Sequence, residues 1–82
     1  MTAALMWEAR AVEGRGHELL EWTRTQHLVP APIRRETFTG PDDRVLVVTL
    51  WHASNDADLP EIPDPPPDLL HRPVHRWRFE KV

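Results

Sequence analysis

The stretch from Arg44 to His52 carries Val45, Val47 and Trp51 on one face of an extended strand and Leu46, Val48 and Leu50 on the other. A strand that offers solvent almost nothing polar on either side belongs in the middle of a sheet and has to be covered both above and below. That single requirement excludes a lone hairpin and demands partners on four sides.

The neighbouring segments supply some of them. From Ala3 to Val12, Leu5, Trp7 and Ala9 share one strand face while Met6, Glu8 and Arg10 share the other. Gly14 and Gly16 interrupt that strand, because glycine takes backbone angles denied to other residues. A helix is expected over 17–28, with Leu19, Leu20, Trp22, Thr23, Gln26 and His27 on one arc and Glu18, Glu21, Arg24 and Thr25 opposite. On that arc His27 is expected to be buried and hydrogen-bonded. Pro30 and Pro32 end the helix, since proline has no amide hydrogen and pushes its predecessor out of the helical region. Ile33 to Thr39 alternates imperfectly around the adjacent Arg34 and Arg35, as suits an edge strand. The residues Gly40, Pro41, Asp42 and Asp43 form a hairpin turn before the central strand. A last strand over 74–80 sets His75, Trp77 and Phe79 against Arg76, Arg78 and Glu80.

Between the last two strands, residues 53–73 hold Pro60, Pro63, Pro65, Pro66, Pro67 and Pro73 and the acids Asp56, Asp58, Glu61, Asp64 and Asp68. So many prolines forbid a long helix and favour an extended path, with at most one helical turn near Leu69. Leu59, Ile62, Leu69 and Leu70 are expected to pack onto the sheet or onto a partner subunit and to leave the acids in solvent. The basic residues Arg72, Arg76, Arg78 and Lys81 are expected to answer the acidic loop, across the fold or across a dimer.

At 82 residues the chain makes one domain, 1–82, and a domain so small buries only roughly 60 to 65% of its unfolded surface. It has no cysteine, so neither disulfides nor thiolate metal sites contribute, and self-association is the expected supplement. The most apolar run, Val45 to Trp51, is far too short to span a bilayer, and a soluble, cytoplasmic protein is expected. A net charge of −3 gives no reason to expect nucleic acid. Pro73 separates His71 from His75 and rules out a helical ligand pair, so no metal or other cofactor is expected.

The order strand, helix, strand, strand, loop, strand is the split βαβ plan of a ferredoxin-like α+β fold with a four-stranded antiparallel sheet. Trp7 to Arg10, the Gly14-Arg15-Gly16 break, Asp43 to Val48 and the strand end from Trp51 to Ser54 together resemble the antibiotic biosynthesis monooxygenase family. The resemblance implies a dimeric α+β barrel, a homodimer whose sheets pack face to face, with any ligand pocket between sheet and helices. Here a proline-rich loop replaces the family's second helix. Haem-degrading members would require an asparagine where this chain has Ala9, and a histidine on the helix it lacks.

Three functions are consistent with these residues. One is a non-catalytic dimeric barrel that binds a small aromatic or apolar ligand or assists a pathway enzyme. Another is a cofactor-independent monooxygenase acting on an aromatic polyketide-like substrate. The third is an interaction module read through its proline-rich loop. The candidate ligand-binding residues are Trp7, Trp51, His52, His75 and Trp77, and no catalytic residue is assigned.

Overall fold

The computed structural model describes all residues from Met1 to Val82. Its elements run β1 (Ala3–Arg10), α1 (Gly16–Arg24), β2 (Arg34–Gly40), β3 (Arg44–Trp51), a 3-10 turn (Pro67–Leu69) and β4 (His75–Glu80). The four strands form one sheet in the order β2-β3-β1-β4, every pair antiparallel. This order is consistent with a ferredoxin-like sheet. β3 lies inside the sheet and β2 at an edge, as their patterns require.

Because side chains alternate along a strand, the register fixes two faces. Odd-numbered residues of β1 and β3 point to the side where α1 and the proline-rich segment lie. There Trp7, Ala9, Ala11, Leu19, Val45, Val47, Ile62 and Leu69 form the main core, and Ala3, Leu5 and Trp51 form a second cluster. Even-numbered residues of the same strands point the other way, where the chain places no second layer. Leu46, Val48 and Leu50 are therefore only partly buried, and β3, apolar on both faces, is covered by its own chain on one.

Helix α1 takes both of its caps from the β2–β3 hairpin. Its own N-cap residue, Arg15, makes no side-chain cap. Instead the Asp43 carboxylate accepts the Gly14 amide at 2.9 Å and the Gly16 amide at 3.1 Å, satisfying two amides at the positive end of the helix dipole. Gly16 is required at that contact, since a Cβ there would lie 2.6 Å from Asp43 Oδ1 and 2.9 Å from its Cα. Asp43 reaches the helix from a left-handed backbone, with φ 59°. At the other end, Arg35 donates to the carbonyls of Thr23, at 2.9 Å, and Gln26, at 2.5 Å. Burial lowers the Arg35 pKa from its ordinary value.

The helix stops at Arg24, four residues before the expected end. The Thr25 and Gln26 amides tighten to the Trp22 and Thr23 carbonyls, each at 3.1 Å, and the Thr25 hydroxyl and Arg35 add side-chain bonds to the same two carbonyls, so the helix closes on a three-residue turn. His27 consequently lies beyond the helix and is exposed, not buried.

The segment from Asn55 to Arg72 crosses the covered side as a strap. Ile62, Pro65 and Leu69 are buried in it, and Leu59 and Leu70 are partly buried. Its 3-10 turn, Pro67–Leu69, is its only helical structure. Two arginines of β4 hold it down. Arg76 donates to the Ile62 carbonyl at 2.7 Å and to Asp64 at 2.9 Å. Arg78 donates to the Ala57 carbonyl at 2.7 Å and to Glu61 at 2.8 Å. Glu61 and Asp64 stay exposed to solvent, as expected of the strap's acids, and pair there with the guanidinium groups that project from β4 beneath them.

Candidate binding face

The side of the sheet away from α1 is an ordered grid. Across the strands β2, β3, β1 and β4, the register aligns Arg34, Leu50, Ala4 and Phe79 in one row and Glu36, Val48, Met6 and Trp77 in the next. Phe38, Leu46, Glu8 and His75 make a third row, and Gly40, Arg44 and Arg10 a fourth. The first three rows are mainly apolar, and their largest members are the least covered. Phe38 is 47% exposed, Trp77 43% and Phe79 53%. Side chains of this size are enriched where surfaces are buried on association.

One end of the grid is charged. Glu8, only 8% exposed, lies between β3 and β4 with three basic groups around it. Arg72 donates to both of its carboxylate oxygens, at 2.6 and 2.9 Å. Arg44 approaches to 3.6 Å and His75 Nδ1 to 3.8 Å. The His75 ring also meets Trp77 edge-on, with centroids 5.6 Å apart. Burying a carboxylate in a sheet is tolerable only with such partners. Beside this cluster a concavity of about 160 Å³ is lined by Glu8, Phe38, Thr39, Gly40, Arg44 and Leu46.

Between the opposite side of the sheet and the strap almost no space remains. Trp7 stacks on Trp22 with ring centroids 6.3 Å apart and planes inclined by 24°, and the Trp51 indole donates to the Thr49 hydroxyl at 2.9 Å. Under the strap, between Trp7, Thr49, Ile62 and Arg76, remains a cavity of about 10 Å³, enough for one water molecule. The Trp7 indole nitrogen is buried with no hydrogen-bond partner.

The five candidate residues therefore divide. Trp7 and Trp51 are buried in the two clusters beneath α1 and the strap, His75 and Trp77 stand on the open face, and His52 is exposed just past the end of β3. No group of three or more His, Cys, Asp or Glu side chains is placed to hold a metal ion. No helix is long and apolar enough to cross a membrane. Glu8, Arg44 and Arg72 were not singled out by the sequence pattern. The signal for Glu8 was a lone acid within an apolar strand, but its partner Arg72 lies 64 residues away and no local rule joins them. Compared with protein-family models, with curated proteins and with solved structures, the chain matches none.

Proposed function

We propose that this protein works as a homodimer joined through its open sheet faces, a binding or accessory protein rather than an enzyme, and a short, divergent relative of the antibiotic biosynthesis monooxygenases. One observation carries the reading. The sheet has one face sealed by α1 and the strap and another on which Phe38, Leu46, Val48, Leu50, Met6, Trp77 and Phe79 form a continuous apolar surface. Contiguous patches of this kind mark sites of association, and a twin surface is always available at the concentration of the protein itself.

In this reading two sheets stacked about 10 Å apart close an α+β barrel, and the strap stands where relatives carry a second helix. A role without catalysis is supported by Glu8, the carboxylate nearest the open concavity, whose two oxygens already accept from Arg72. A role as a loop-reading module has less support, because Arg76 and Arg78 hold the proline-rich strap against the sheet.

Four strands of about seven residues give a planar footprint of roughly 19 by 23 Å, a contact at the small end for a dimer, so association is expected to depend on concentration. Sedimentation equilibrium tests it. The wild type should move from the 9.6 kDa chain mass to twice that value as concentration rises through micromolar, and Val48→Lys should remain monomeric while keeping the wild-type circular dichroism. A wild type that stays monomeric at several hundred micromolar would refute the reading.

A further inference from the structure

Charge is unevenly divided between the two sides of the sheet. Of ten Lys and Arg and thirteen Asp and Glu, the cations Arg10, Arg34, Arg44 and Arg72 and the acids Glu8 and Glu36 belong to the open face, which leaves six cations and eleven acids for the rest. The overall charge is −3, yet the apolar face carries an excess of two positive charges. Of its four arginines, Arg72 is committed to Glu8 and Arg34 pairs with Glu36 at 3.1 Å. Arg44 has only a 3.6 Å approach to Glu8 and a hydrogen bond to the Pro41 carbonyl. Arg10 has no ion pair; the acids Glu13, Asp42 and Asp43 line the wider polar concavity beyond it, the Asp43 carboxylate being taken up by the Gly14 and Gly16 amides.

From this asymmetry we infer that the face binds an anionic amphiphile: a small molecule with an apolar, preferably aromatic, body and a single carboxylate, sulfonate or phosphate head. The proposal rests on the dimer reading and names the ligand class for the same surface. An isologous interface sets each surface against its own copy, so two faces with the same surplus charge meet, and an anion between them relieves the repulsion that neither chain can relieve itself. The head belongs at Arg44 and Arg10. Guanidinium forks match carboxylate and related oxyanion geometry, and the two residues are register partners on adjacent strands. The concavity beside Arg44 has a volume of about 160 Å³. That is room for a head group and its first few atoms, with the body lying along Leu46, Val48, Met6 and Trp77.

The matched fluorescent dyes anilinonaphthalene sulfonate, an anion, and phenylnaphthylamine, its neutral counterpart, test this directly. Titrated into the wild-type protein, the anionic dye should bind at least about tenfold more tightly, the factor one charge-assisted hydrogen bond supplies. The double variant Arg10→Gln, Arg44→Gln should lose that preference and keep its affinity for the neutral dye. Arg24→Gln, on the exposed face of α1, should bind both dyes as the wild type does. Equal affinity of the two dyes for the wild type, or a preference that survives the double variant, overturns the inference. Sedimentation of the same samples separates it from the dimer reading. A dimer without charge preference sinks the ligand class alone, and a monomer with the preference sinks the dimer alone.

Discussion

Asp43 should control the stability of α1 from outside the helix, and three substitutions separate its contributions. Its carboxylate accepts from Gly14 and Gly16, one bond exposed and one partly buried, and losing both costs about 2 kcal/mol, the upper end for a helix cap. Its backbone, at φ 59°, adds a second effect, because a left-handed conformation costs an alanine about 1 to 2 kcal/mol while asparagine tolerates it and glycine adopts it freely. Asp43→Ala should therefore lose about 3 kcal/mol. Asp43→Asn, which keeps an acceptor and the backbone preference, and Asp43→Gly, which loses the cap but relieves the backbone, should each lose about 1 kcal/mol by the same accounting. Urea titration at a fixed protein concentration provides the assay, since association would otherwise shift the midpoint. For a domain of this size the alanine variant should melt more than about 10 °C lower. Amide exchange at Gly14 and Gly16 should accelerate in the alanine and glycine variants alike. An alanine variant within about 0.5 kcal/mol of wild type would refute the capping argument, and a glycine variant no better than alanine would refute the backbone one.

Arg78→Ala should release the strap between Asn55 and Glu61, costing about 1 to 2 kcal/mol, with faster amide exchange confined to that segment; uniform exchange across the chain would mean the strap does not open by itself. Trp77→Ala should cost only about 1 kcal/mol in dilute monomer, where the side chain is already 43% exposed, and about 3 kcal/mol once dimer forms. Denaturation at two concentrations distinguishes these values, and a loss that ignores concentration would place Trp77 outside the interface. Glu8→Ala should destabilise by about 2 to 3 kcal/mol by leaving Arg72 without its carboxylate, whereas Glu8→Ala with Arg72→Met should recover most of that loss in a double-mutant cycle.

Much of the fold was legible because it follows local periodicity. The alternation in Val45 to Trp51 placed β3 inside the sheet, and Arg34 and Arg35 placed β2 at its edge. The prolines from Pro60 to Pro67 ruled out a second long helix. What the pattern did not reveal depends on residues far apart in sequence. The helix ends early on a turn that Arg35, from the next strand, caps at the Thr23 carbonyl, and that early end left His27 in solvent. Asp43 looked like a turn residue and is also a cap for a helix that starts 27 residues before it. The candidate site was legible only in part. Trp77 and His75 were picked out by their alternation, but Glu8 and Arg72 meet only after β1 and β4 pair. Trp7 and Trp51 drew attention as aromatics, and they serve the core because their odd positions face α1 and the strap.

The central claim is that a second copy covers the open face, and isotope-filtered NMR on a mixture of labelled and unlabelled chains tests it most directly. Above the dissociation constant, intermolecular contacts should connect Met6, Val48, Leu46, Trp77 and Phe79 of one chain with the same set on the other. They should be missing from Leu19, Val45 and Ile62. Intermolecular contacts that arise from α1 or the strap, or none from the open face in a sample shown to be dimeric, would contradict the account.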